Sequence, residues 1–188
     1  MVFSLISRIV NGVKEGVKAS LKGVSDIGSA IVGVVRDITV TTLEETSEFL
    51  SKGVEATASI VKGAISGVAD VGASVVGTIR GIVTGTIRGF IEAGGKQKPA
   101  VQGAVAQAIH SAKELGLDIG DVAVEAVKGS IEAVKTVGGD VVEATKEAVS
   151  TAIEAAKDVG EEAVEAVKGA LTSSIEGAKD IIEAAKEE

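Results

Sequence analysis

Cysteine is absent from the 188 residues, which excludes disulfides and thiolate metal sites. Tryptophan and tyrosine are absent as well, and there are 3 phenylalanines, so any core must be built from Val, Ile, Ala and a few Leu. His110 is the single histidine, so neither a His-rich metal site nor a Ser-His-Asp triad with a choice of bases is available. No run of about 18 uninterrupted apolar residues occurs, so no ordinary membrane-spanning helix is indicated. The opening MVFSLISRIVNG has no basic region ahead of its apolar run and no small-residue cleavage signal. We therefore read no secretory signal and expect an intracellular place, with a peripheral membrane or granule surface open to it. A net charge of −8 argues against a general nucleic-acid binder.

What the chain has instead is an 11-residue beat. EAVKGSIEAVKTVG (Glu125–Gly138) returns as EAVSTAIEAAKDVG (Glu147–Gly160) and more loosely as GALTSSIEGAKDII (Gly169–Ile182), a 22-residue offset each time. Steps of 11 from Val10 meet Leu21, Val32, Leu43, Val54, Ile65, Val76 and Ile87. A second column, three residues on, holds Val13, Val24, Val35, Val68 and Ile79. A third, seven on, starts at Val17 and from Val61 alternates with glycine: Val61, Gly72, Val83, Gly94, Val105, Gly116, Val127, Gly138, Val149, Gly160.

Spacings of 3, 4 and 4 are helical, since three turns of α-helix take about 11 residues. The expected fold is all-α: long amphipathic helices with 11/22-residue repeats, arranged as a helical hairpin or an elongated bundle. The aliphatic columns make an apolar stripe that must be covered by lipid or a partner. We assign that contact to Val10, Val13, Val17, Leu21, Val24, Val32, Val61, Ile65, Val68, Val76, Ile79 and Ile87.

The chain divides into an aliphatic, Gly-rich helical arm (1–93), a turn (94–99, with the only proline, Pro99) and an acidic, Ala-rich helical arm (100–188). Within the first arm DITVTT, rich in β-branched residues, predicts a bend near 37–42, with Thr42 and Glu45 restarting the helix as a capping box. In the second arm Gly116, Gly138 and Gly160 are kinks or helix ends. The apolar columns keep phase across them, which favours long helices with bends.

Gly77, Gly81, Gly85 and Gly89 recur every fourth residue, a glycine zipper in which one helix face admits a close neighbour. Arg8, Lys14, Lys18, Lys22, Arg36, Arg80 and Arg88 flank the stripe as interfacial basic residues do, their stems reaching toward phosphates. The arms differ in charge. Residues 1–99 carry 11 Lys and Arg against 9 Asp and Glu (net +2), and residues 100–188 carry 8 against 18 (net −10). In the second arm an acidic column (Asp121, Glu132, Glu143, Glu154, Glu165, Glu176, Glu187) stands three residues before a basic one. That is a solvated helix face rather than a catalytic cluster.

No catalytic, cofactor-binding or metal-binding residue stands out, and no enzyme is read. VKEGVKASLKGV (Val13–Val24) and VVEATKEAVSTAIEAAKDVGEEAVEAVKGA (Val141–Ala170) resemble, in period and composition, the hendecad segments of synucleins, exchangeable apolipoproteins and late-embryogenesis-abundant proteins. The first two imply helices on a lipid surface and the third protection against water stress. The expected function is a non-enzymatic coat on a lipid membrane, lipid droplet or other apolar surface. The alternative is a self-assembling structural bundle or filament, and a desiccation protectant comes third.

Overall fold

The computed structural model describes residues 2–187, and every regular element among them is an α-helix. The order is α1 (Val2–Leu21), α2 (Ile27–Glu45), α3 (Ser47–Leu50), α4 (Gly53–Asp70), α5 (Val75–Glu92), α6 (Gln97–Leu115), α7 (Ile119–Thr136), α8 (Val141–Val159), α9 (Glu161–Ser174) and α10 (Ala178–Lys186). The expectation of an all-α bundle holds.

Five successive helices begin on a constant 22-residue frame, at Gly53, Val75, Gln97, Ile119 and Val141. The unit is one helix of 18 or 19 residues and one short turn. The turn itself repeats. Gly72, Gly94, Gly116 and Gly138 are left-handed, with φ between +68 and +103. The next residue's N–H then reaches back five positions to a carbonyl in the last turn. The four bonds are Ala73 to Val68 (3.3 Å), Gly95 to Phe90 (2.8 Å), Leu117 to Ala112 (2.9 Å) and Gly139 to Val134 (2.9 Å). This is the glycine stop that satisfies otherwise unpaired carbonyls. Three of the following helices start on a side-chain cap: Ser74, Asp118 and Asp140 accept the N–H of Gly77, Asp121 and Glu143.

The long, bent helices expected from the sequence are therefore replaced by short ones. Gly116 and Gly138 end helices, and Gly160 both ends α8 and opens α9. The apolar columns keep phase across the turns because helix and turn together fill the same 22-residue frame, twice the 11-residue beat.

The predicted bend at 37–42 lies inside α2. Its threonines are held in helix by their own hydroxyls, Thr39 donating to Val35 O and Thr42 to Ile38 O, each at 2.7 Å. Packing on α5 overrides their weak helix propensity, and Thr39 is fully buried. Chain reversals fall instead at Lys22–Asp26 and around the short α3. The predicted turn at 94–99 is present but shorter, since α6 begins at Gln97 and Pro99 sits in its first turn.

The helices form two layers. α1, α4, α6 and α8 lie side by side in one, and α2, α5, α7 and α9 in the other, so consecutive helices alternate between layers. α10 folds back over α8 and α9. Packing runs across the turn at 94–99 that divides the two arms, with α4 on α6 and α5 on α7. Neighbours within a layer run parallel, as α6 and α8 show: Gln97 bonds to Asp140, Gln102 to Glu147, and His110 faces Asp158.

Close packing at the α1–α4, α4–α6, α2–α5 and α5–α7 contacts depends on glycine. A Cβ on Gly63 would stand 2.5 Å from Val10 O, and one on Gly67 2.9 Å from Lys14 O. One unit later, in the other layer, Gly85 meets Val32 O at 2.6 Å and Gly89 meets Arg36 O at 2.8 Å. Gly103 and Gly129 make the same contact one step further along, against Val54 and Arg80. With almost no aromatic side chains available, backbones at this distance let small aliphatic residues fill the space between helices.

Candidate functional site

Of the twelve side chains assigned to lipid or partner contact, most are buried among the chain's own helices. Val13, Val17, Leu21, Val61, Ile65, Val68, Ile79 and Ile87 are buried, and Val10, Val24, Val32 and Val76 are half-buried. Burying one such side chain contributes about 1.5–3 kcal/mol, so exposing the stripe requires breaking the helix layers apart. The physical reason is the short turn, which brings each stripe against the next unit.

Of the four recurring glycines, Gly81, Gly85 and Gly89 seat α2. Gly81 stands against Ile31, and Gly85 and Gly89 against the α2 backbone. Gly77 does not share this contact, since it lies in the first turn of α5 beside the capping Ser74.

Most of the basic residues are paired with carboxylates of the same chain. Lys14 and Lys18 reach Asp70 at 3.2 and 3.5 Å, tying α1 to α4. Arg36 pairs with Asp37 at 2.7 Å and with Glu92 at 2.5 Å, and hydrogen bonds to these two raise its pKa. Arg80 bonds to Glu132 at 3.0 Å. Arg88 lies 3.8 Å from Glu92, and its Nε is buried without a hydrogen-bond partner among the described residues. Arg8 and Lys22 are exposed and make no ion pair among the described residues. The acidic column at Asp121, Glu132, Glu143, Glu154, Glu165, Glu176 and Glu187 is exposed throughout.

An open groove of about 830 Å³ lies where α4 and α6 begin. Sequence reading missed it, because it arises where α3 interrupts the 22-residue frame. Lys52 and Lys96 occupy the N-cap positions of these two helices, and neither start has a side-chain cap. Ser47, Ser51 and the Gly94–Gly95 turn complete the polar wall, with Leu50, Val54 and Pro99 as its apolar part. Two helix starts and two lysines favour negative charge. Glu55 lines the same groove, and Glu44, Glu45 and Glu48 are nearby in sequence, which opposes it.

His110 is half-buried, its Nε2 3.3 Å from Asp158 across the α6–α8 contact. Among the described residues no three His, Asp or Glu side chains converge in a way that would hold a metal ion. No described helix is long and apolar enough to cross a membrane. No family model matches the chain, and no curated protein matches it.

Proposed function

We propose that this is a non-enzymatic structural protein: a self-contained stack of helical repeats whose apolar columns hold helix to helix and whose polar outer faces meet its surroundings. The observation that carries this reading is the burial of eight of the twelve stripe residues against the chain's own helices. Stacked repeats of this kind gain stability from nearest-neighbour contacts and offer extended outer surfaces.

End-on self-assembly, the filament form of the same reading, is disfavoured at the first helix pair. Along α5 the residues facing α2 are Gly81, Gly85 and Gly89. The corresponding outward positions of α2, two residues from its contacts Ile31, Val35 and Thr39, are Gly33, Asp37 and Thr41, all exposed. On α1 they include Glu15, also exposed. Charged side chains in these places hold a second copy's backbone away.

Coating a membrane, lipid droplet or other apolar surface is the second reading, favoured by the recurrence of the stripe itself. It requires the two layers to open so that the same residues meet lipid. Flotation with neutral and anionic vesicles, with helicity followed by circular dichroism, separates the two. The structural reading expects a monomer that stays unbound with unchanged helicity. Flotation accompanied by loss of the tertiary fold would replace it with the coat.

A further inference from the structure

The last unit departs from the frame. α5 and α7, the preceding helices of the second layer, have 18 residues each, whereas α9 has 14 and stops at Ser174. Ile175 is extended (φ −117, ψ 120), Gly177 is left-handed (φ +82), and the nine-residue α10 then folds back. The shortfall leaves a mark on α7. Ile87 of α5 is fully buried, while its counterpart two units on, Ile131, is half-buried.

The 11-residue beat nevertheless continues through the break. In an unbroken helix Leu171, Ile175, Ala178 and Ile182 fall on one face. All four are buried in the bent form. A nine-residue helix is too short to be stable without a docking surface. The surface that α10 uses on α8 is incompletely filled, leaving a pocket of about 190 Å³ beside Ile153, Ile181 and Ala185.

We propose that Ser174–Gly177 is a hinge between two docked states. In the bent state α10 covers α8. In the straight state α9 and α10 are one helix lying along the second half of α7, and Ile175, Ala178 and Ile182 cover Ile131. The observed register supports this. Gly120 lies against Ala166 and Ala170, which places residue 168 opposite residue 120. The same offset sets Glu176 opposite Lys128 and Glu183 opposite Lys135, two opposite-charge pairs. Straightening therefore exchanges one covered surface for another and exposes the α8 face around Ile153. The hinge does not depend on the function proposed above.

The chain has no cysteine, so spin-label pairs can be placed cleanly in the full-length protein. Ser150→Cys with Ala185→Cys reports the bent state. Thr136→Cys with Ala184→Cys reports the straight one. Gly177→Ala penalises the left-handed residue, whose added Cβ meets no other atom within 4 Å, and should raise the straight-to-bent ratio about 10-fold. Glu176→Pro cannot sit in a continuous helix and should hold the bent state. Ile131→Asp added to Gly177→Ala removes the second seat and should return the short 150–185 distance. The hinge is overturned if Gly177→Ala keeps the same single short 150–185 distance as Glu176→Pro. It is equally overturned if residue 185 leaves residue 150 and no short 136–184 distance appears.

Discussion

Gly85 lies so close to Val32 that a Cβ added to the glycine would stand 2.6 Å from the valine carbonyl oxygen. Gly63 and Val10, each one unit earlier, repeat the contact at 2.5 Å in the other layer. A backbone atom cannot turn aside as a side chain can. Gly85→Ala should therefore destabilise by about 1–2 kcal/mol even after the better helix propensity of alanine is counted. Gly33 is exposed in α2 with nothing within 4 Å of an added Cβ, and Gly33→Ala should stabilise by about 0.5–1 kcal/mol. Urea unfolding of both variants checks the opposite signs.

The turn glycines should respond differently from the packed ones. Gly138 has φ +74 and open space around it, so its cost is conformational alone. Gly138→Ala should lose about 1–2 kcal/mol. Gly138→Asn should lose less, because asparagine tolerates the left-handed region. Equal losses in thermal unfolding would show that the left-handed turn does not set the cost.

Hydrogen bonding from Lys14, with Lys18 adding to it, holds the Asp70 carboxyl below its ordinary value. Because the folded value is the lower one, the contribution is present above the unfolded value of about 3.9. It is lost as pH falls from there through the folded value. Asp70→Asn should remove it, so that stability of the variant falls less steeply than that of the parent below about pH 4. Melting temperatures across pH 2–7 test the slope, and high salt should narrow the difference at neutral pH.

Burial along one column should set the cost of truncation. Ile87 of α5 is fully buried, and Ile87→Ala should cost about 2–5 kcal/mol. Ile131→Ala, at the same place one pair further on but half-buried, should cost clearly less when measured in the same denaturant series.

Helix type, period and the buried columns were legible in the sequence, because an 11-residue beat of Val and Ile admits no other regular structure. Helix length was not. A bend and a short turn both preserve phase when helix and turn together fill two beats, so the phase of Ile109, Ile131 and Ile153 could not separate them. The signal that could have done so is the glycine column at Gly72, Gly94, Gly116 and Gly138, one per two beats, each left-handed here. The run at 37–42 misled for another reason: local propensity lost to the close α2–α5 contact at Thr39 and Gly89. The groove at Lys52 and Lys96 had no sequence signal, since two lysines two units apart become neighbours only once the units stack.

The chain folds on itself in short units and covers its own stripe, and small-angle scattering of the dilute protein measures this most directly. A folded stack of 188 residues should give a radius of gyration near the roughly 16 Å of a compact chain, somewhat raised by its layered shape. Two straight helical arms of about 135 Å would give about 40 Å, and that value would contradict the self-covered stack.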